Sequence, residues 1–192
     1  MRALITEKLS RLSLAPSATT AGDLREAAVL LPLLERAAGM TLLLTLRTQH
    51  LHHHPGQVGL PGGMIEASDA GPVAAALRET HEEIGIAPDR VEVIGQLESI
   101  DTRTGFRITP IVGFVDPGAR FKLDRFEVES IFEVPLDFLL NAGNYQRQSR
   151  NFAGVGEVRF YQLVYQEQIV WGATAQILVN FARCLGIAGI PD

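Results

Sequence analysis

The segment RETHEEIG at residues 78–85 constrains the fold of this chain more than any other feature. On a helix, Glu79, Glu82 and Glu83 stand at positions i, i+3 and i+4, so three carboxylates share one face. Like charges at this spacing repel one another, whereas hard divalent cations placed among them would explain the cluster. Mg²⁺ prefers oxygen ligands and commonly joins protein carboxylates to substrate phosphates. The alternative interpretation is a solvated acidic helix face.

The residues that flank this segment indicate where the helix begins and ends. Proline is tolerated in a first helical turn, and glycine is typical just after the last turn. Pro72 and Gly85 occupy these places, so we predict a helix over residues 72–84. The residues on the side away from the carboxylates, which we expect to pack on a sheet, are Val73, Leu77, Thr80 and Ile84.

Apolar runs elsewhere in the chain have the lengths of strands and short helices. The predicted strands are residues 27–34, 40–46, 91–99, 108–115, 127–134 and 158–165. Predicted helices are residues 5–14, 135–140 and 174–185, with a linker at 16–22 and a long functional loop at 48–63. Because strands and helices interleave, the pattern predicts a mixed sheet covered by helices on both faces.

Composition excludes several classes of function. A chain of 192 residues suits one domain spanning 1–192, with residues 1–22 peripheral to it. The net charge of −5 argues against non-specific nucleic-acid binding. We find no run of 18 apolar residues that would span a membrane, and no signal peptide. The single Cys184 suits a buried cysteine in a reducing cytoplasm, and a homodimer is left open.

The acidic segment resembles the signature of the Nudix hydrolases, G-x5-E-x7-R-E-U-x-E-E-x-G-U, where U is bulky and apolar. Gly63 opens the motif, and residues 78–86 supply its second half. The chain departs from the signature in three ways: Asp69 replaces glutamate, eight residues separate Asp69 from Arg78, and Thr80 takes an apolar position. The resemblance implies a Nudix-type α/β/α sandwich with a mixed β-sheet and hydrolysis that depends on Mg²⁺ or Mn²⁺.

A second stretch resembles the motif LLTxR(S/A)x3Rx3Gx3FPGG of the coenzyme A pyrophosphatase branch. Residues 43–48 read LLTLRT and residues 60–63 read LPGG, with Gly56 between them. His52 stands where the motif has arginine, and Leu60 where it has phenylalanine. This resemblance implies a small-molecule substrate, coenzyme A or a derivative, cleaved to 3′,5′-ADP and a 4′-phosphopantetheine species. Residues 108–113, 132–136 and 171–175 resemble later parts of the same branch.

The carboxylate chemistry and the resemblance together suggest metal ligands. Glu79, Glu82 and Glu83 are the first candidates, and in the family the backbone oxygen at Gly63 commonly joins them. Arg78 is predicted to orient a carboxylate such as Glu82, the alternative being direct contact with phosphate. Asp69 is expected to brace the loop and the start of the helix.

Other residues are candidates for the base and for substrate binding. Glu127 resembles a late acidic residue of other Nudix enzymes and is a candidate base or further metal ligand, the alternative being a solvated strand end. Glu129 is the fallback on the same strand face. Gly62, Gly63 and Arg47 are candidates for substrate binding. Arg47 is the first candidate to hold the 3′-phosphate, its alternative role being to brace the loop. The other arginines available for the 3′-phosphate are Arg103, Arg107 and Arg125.

Histidines and aromatic residues leave further alternatives open. The spacing of His50, His52, His53 and His54 matches no ordinary zinc site, so a solvated or substrate-facing loop is expected. Phe106 and Trp171 are candidates for stacking on adenine, with core packing as the alternative.

Two rival functions remain at this stage. The first is Nudix hydrolysis of ADP-ribose, dinucleotides or nucleotide sugars, which the substitutions at His52 and Leu60 keep open. The second is a non-catalytic binding module, against which the intact carboxylate set argues.

Overall fold

The computed structural model describes residues 1–12, 24–51, 54–152 and 156–191. The helices are α1 (Arg2–Ser10), α2 (Pro72–Ile84), α3 (Leu136–Leu139) and α4 (Gly172–Cys184). The strands are β1 (Arg25–Arg36), β2 (Gly39–Arg47), β3 (Val58–Gly59), β4 (Gly62–Met64), β5 (Val91–Gln96), β6 (Ile100–Asp101), β7 (Phe106–Val115), β8 (Val128–Pro135), β9 (Gln146–Phe152), β10 (Gly156–Tyr165) and β11 (Gln168–Trp171). Within these residues, no helix combines the length and the apolar character needed to cross a bilayer.

Two sheets organise the chain. The larger, eight-stranded sheet is mixed: β1 runs parallel to β7 along most of its length and antiparallel to β2 and β4. The smaller sheet is antiparallel, in the order β11-β10-β9. Alternate side chains of β1 face opposite layers, because Leu30 packs with α2 whereas Leu31 and Leu33 pack in the core that contains α4. The predicted mixed α/β fold with a mixed sheet is confirmed.

The N-terminal helix is part of this core. Ile5 is fully buried in α1 and Leu9 nearly so, and both pack among residues of the main core. The helix is therefore more than the peripheral segment that the sequence suggested. The predicted linker at 16–22 lies outside the described residues.

The predicted bounds of the acidic helix are confirmed, and Thr80 and Ile84 of its predicted packing side are fully buried. Val73 of that side is exposed, and the helix also packs on the sheet through Ala75 and Ala76, which were not predicted. Small side chains let the helix lie close to β1, which brings Glu83 into the buried layer as well.

Several strands differ from the sequence prediction. The predicted loop at 48–63 contains β3 and the start of β4. Strands β9 and β11 were not predicted. Strand β9 has the polar sequence QRQSRNF and forms an edge of the smaller sheet, and β11 has only four residues. Strand β5 ends at Gln96, earlier than the predicted residue 99.

Candidate active site

The Pro-Gly-Gly turn and the acidic helix meet on the same strand of the large sheet. Strand β4 pairs with β1, with Gly62 opposite Val29 and Gly63 opposite Ala28. Gly62 has φ +148°, and a Cβ there would lie 2.3 Å from the Ala28 carbonyl oxygen, so only glycine fits. A Cβ at Gly63 would lie 2.5 Å from the Glu79 carboxyl carbon. The Gly63 backbone therefore packs directly against the Glu79 carboxylate.

Glu83 is the buried member of the carboxylate set. Its side chain is 5% exposed, and its carboxylate accepts hydrogen bonds from the Gly62 backbone N–H at 3.2 Å and from Arg47 Nη1 at 3.4 Å. Desolvation raises the pKa of Glu83 to about 8, and the nearby carboxylates of Glu127 and Glu79 add to this. The Gly62 N–H and Arg47 oppose the rise without cancelling it. Burial likewise raises the pKa of Glu79, against the effect of Arg78.

Arg78 links the helix carboxylates to the preceding loop. Its Nε and Nη2 atoms each donate to Asp69 at 3.0 Å, and Nη1 donates to Glu79 at 2.9 Å and to Glu82 at 3.0 Å. The hydrogen bond from Arg78, together with that from the Glu66 N–H, holds the pKa of Asp69 below its usual range. Arg78 thus makes the contact to Glu82 proposed from the sequence, and Asp69 makes the contacts expected of a brace.

Arg47 lies between two carboxylates. Its guanidinium is 3.4 Å from Glu83 and 3.6 Å from Glu127. This is the geometry of the bracing alternative, and the predicted contact with a 3′-phosphate stays a prediction.

Glu127 lies directly before β8 with its side chain partly exposed, which leaves it open to solvent as a base would be. Glu129 is exposed, and only its backbone oxygen has a described contact, accepting a hydrogen bond from Arg125 at 2.8 Å.

The donor atoms at this site fit a hard divalent cation. Glu79, Glu82 and Glu83 offer carboxylate oxygens, and the glycine at 63 leaves its backbone accessible beside Glu79. Among the described residues, no three His, Cys, Asp or Glu side chains are already gathered in ligand positions. Arg78 pairs with Glu79 and Glu82, and Arg47 pairs with Glu83. The oxygen chemistry of these side chains nevertheless fits a divalent cation.

Other candidates from the sequence lie in different surroundings. Arg107 is buried and paired with Asp101 at 2.8 Å, whereas Arg103 is exposed in the turn before β7. The Phe106 ring is covered by the Arg25 guanidinium at 3.9 Å, and Trp171 packs against Phe160.

Of the histidine cluster, His52 and His53 lie outside the described residues. His54 is 2.9 Å from Gln57, and His50 contacts Phe126. Sequence reasoning did not single out Phe126, although an aromatic residue in the polar run LDRFEVE was a signal. The buried Thr48 belongs to the LLTLRT motif, but its hydrogen bond to the Phe126 carbonyl oxygen was not foreseen.

Comparison with known proteins agrees with the geometry. The model of the NUDIX domain family matches residues 24–153. A protein of Enterobacter sp. (strain 638) named "Uncharacterized Nudix hydrolase NudL" is 42% identical over 163 residues, covering 85% of this chain and 84% of that relative. The Citrobacter koseri protein of the same name is 43% identical over the same shares.

Solved structures share the fold at low identity. DR0079 from Deinococcus radiodurans has a TM-score of 0.54 at 15% identity, over 88% of this chain and 90% of that chain. RenU, a Nudix hydrolase from M. smegmatis, has a TM-score of 0.51 at 23% identity, over 59% and 72%. The family match spans well over half of the sequence and includes both the glycine turn and the acidic helix, and the chain therefore belongs to the Nudix hydrolase family.

Proposed function

We propose that this protein hydrolyses the pyrophosphate bond of coenzyme A or a derivative in a reaction that needs Mg²⁺ or Mn²⁺. The observation that carries the proposal is the convergence of the glycine turn on the acidic helix. Gly63 packs on the Glu79 carboxylate, and the Gly62 N–H donates to the buried Glu83. Two separate sequence motifs thus meet at one cluster of oxygen ligands.

Hydrolysis adds a water oxygen to one phosphorus and breaks a bridging P–O bond, giving 3′,5′-ADP and 4′-phosphopantetheine. A bound divalent cation would polarise phosphoryl oxygens and lower the pKa of a water molecule. Glu79, Glu82, Glu83 and the Gly63 carbonyl are the residues that would hold it. Arg78 donates hydrogen bonds to both Glu79 and Glu82 and so orients their carboxylates, and Glu127 is open to solvent to accept the proton from water.

The location of Leu60, one of the two departures from the coenzyme A pyrophosphatase motif, supports the coenzyme A assignment. Leu60 replaces a phenylalanine, yet it is buried in the main core beside Pro61, whose carbonyl oxygen accepts from the Leu30 N–H at 2.9 Å. The substitution therefore changes packing beneath the turn and does not remove a group that would touch substrate. The motif residue Thr45 is also structural, since it donates to the Gly59 carbonyl oxygen.

One observation favours a broader substrate range as the second candidate. Arg47, the first candidate for the 3′-phosphate, already contacts Glu83 and Glu127. A site without a 3′-phosphate contact would accept ADP-ribose, dinucleotides or nucleotide sugars as readily as coenzyme A.

A substrate panel tests the proposal. We expect coenzyme A to be cleaved with kcat/KM about 10-fold or more above dephospho-coenzyme A and ADP-ribose, because one charge-assisted contact is worth roughly 1.5–3 kcal/mol. Products are identified by mass spectrometry, with Mg²⁺ and with Mn²⁺. Faster cleavage of ADP-ribose would reject the coenzyme A assignment and leave the Nudix chemistry standing.

The variant Arg47→Ala in the same panel separates its two roles. A loss confined to coenzyme A would indicate contact with the 3′-phosphate. Equal losses on coenzyme A and dephospho-coenzyme A would indicate that Arg47 braces Glu83 and Glu127.

A further inference from the structure

An exposed aromatic pair lies beside the carboxylate cluster. Phe126 is 65% exposed, and its ring centroid lies 4.7 Å from that of His50 with the ring planes tilted by 60°. A single exposed apolar residue is common and needs no explanation. Phe126 differs from such residues in two respects: its backbone is fixed by hydrogen bonds, and it lies next to residues of the candidate active site.

A buried threonine fixes the pair. Thr48 Oγ1 donates to the Phe126 carbonyl oxygen at 2.7 Å, and the Thr48 N–H donates to the Glu127 carbonyl oxygen at 3.0 Å. These bonds join the segment after β2, which carries His50, to the segment before β8, which carries Phe126. The backbone on both sides of the pair is therefore tied together.

The same two segments supply groups of the candidate active site. Arg47 directly precedes Thr48, and Glu127 directly follows Phe126. The Arg47 guanidinium contacts both Glu127 and the buried Glu83. The aromatic pair is thus close in sequence, on both segments, to Arg47 and Glu127, which contact each other beside the buried Glu83.

We propose that the exposed face of Phe126, supported from the side by His50, stacks on the purine base of the nucleotide substrate. The inference rests on the proposed function, because adenine is the base of coenzyme A. A flat aromatic ring suits this task, since every base presents a π-face and stacking tolerates changes of base. Phe106 and Trp171 instead pack against Arg25 and Phe160.

We call Phe126 and His50 together the stacking platform. Binding of two small probes that the protein cannot hydrolyse tests this platform separately from catalysis. Adenosine 5′-monophosphate carries adenine where ribose 5-phosphate has its anomeric hydroxyl, and neither has a pyrophosphate to cleave. In titration calorimetry with Mg²⁺, we expect the wild type to bind the adenine nucleotide about 10-fold or more tightly than the sugar phosphate, the usual effect of one stacked base. Phe126→Leu should abolish most of this preference, and Phe126→Tyr should keep it.

Two further variants sharpen the result. His50→Ala should reduce the preference less than Phe126→Leu does, because His50 supports the platform from the side. Ile169→Ala, which shortens a similarly exposed apolar side chain on β11, should leave it unchanged. An unchanged melting temperature for Phe126→Leu would show that its fold is intact.

The platform is rejected if the wild type binds both probes equally, or if Phe126→Leu keeps the preference for the adenine nucleotide. It is also rejected if Phe126→Leu weakens binding of 4′-phosphopantetheine and not of the nucleotide, since the ring would then hold the pantetheine arm. Failure of the proposed function is recognised separately. A wild type that does not cleave coenzyme A, but loses base preference in Phe126→Leu, would have the platform and a different adenine-containing substrate.

Discussion

The three glutamates of the acidic helix share one face but have very different surroundings. The side chain of Glu83 is 5% exposed, that of Glu79 20% and that of Glu82 57%. The Glu83 carboxylate accepts a hydrogen bond from the Gly62 N–H, and the Glu79 carboxylate packs against the Gly63 backbone. The Glu82 carboxylate accepts a hydrogen bond from Arg78. Glu82 is therefore the most solvent-exposed of the three residues that would hold a cation, and Arg78 pairs with both Glu82 and Glu79.

Removing one carboxylate should impair catalysis more than folding. We expect Glu82→Gln and Glu83→Gln each to lower kcat by at least about 100-fold, because a missing ligand weakens metal binding and removes stabilisation of developing charge. Steady-state rates at saturating Mg²⁺ measure the effect, with circular dichroism as the check on folding. The control is Glu157→Gln, which makes the same change on an exposed residue of β10. Near-native turnover in both site variants would show that the metal is held elsewhere.

For individual residues, the sequence predicts which side chains share a helix face better than it predicts their burial or their distant contacts. The spacing of Glu79, Glu82 and Glu83 is local, so the face that they share follows from helical geometry alone. The burial of Glu83 depends on how closely α2 approaches β1 and on the distant Arg47, and no local pattern encodes either. Phe126 was missed for the same reason, since its significance comes from Thr48, which is 78 residues away in sequence.

At the scale of elements, the contact between β4 and α2 forms the site. Strand β4 is three residues long, and its register on β1 places Gly63 beneath Glu79. A Cβ at position 63 would lie within 2.7 Å of all three carboxyl atoms of Glu79, so a larger residue there would force this carboxylate to move.

A methyl group at position 63 should therefore disturb the site through Glu79. We expect Gly63→Ala to lower kcat about 10-fold or more and to weaken Mg²⁺ binding, since the carboxylate must move and small misplacements in an active site are costly. The matched control is Gly59→Ala, where the nearest atom to a new Cβ is Thr45 Oγ1 at 3.9 Å, an ordinary contact. Equal activity of the two variants would mean that the contact between Gly63 and Glu79 has no role in catalysis.

The elements that the sequence predicts well are those with local signals. Helix α2 has Pro72 in its first turn and Gly85 in the left-handed conformation after its last, with the Gly85 N–H bonded to the His81 carbonyl oxygen at 2.9 Å. Strand β9 has no such signal, because its pairing with β10 is what makes a polar run extended. Of the smaller sheet, only the strand that became β10 was therefore predicted, and its pairing with β9 could not be.

For the whole molecule, we expect the acidic site to make the free energy of unfolding depend on pH and on divalent metal together. In the metal-free protein Glu83 has a pKa of about 8, against an ordinary value of 4.5. Between these values the folded state binds more protons than the unfolded state, so the free energy of unfolding falls as pH rises. Glu79 acts in the same direction, because burial also raises its pKa.

We therefore expect metal-free protein to lose a few kcal/mol of unfolding free energy between about pH 5 and pH 8, since each pKa unit is worth about 1.4 kcal/mol. Glu83→Gln should flatten most of this dependence, whereas Glu157→Gln should retain it. Mg²⁺ binds the deprotonated carboxylates, so millimolar Mg²⁺ should raise the melting temperature more at pH 8 than at pH 6. Denaturant titrations in EDTA and thermal scans with Mg²⁺ measure both effects. A pH-independent stability in EDTA, together with no metal-dependent shift, would mean that the acidic face of α2 is merely solvated and binds no cation.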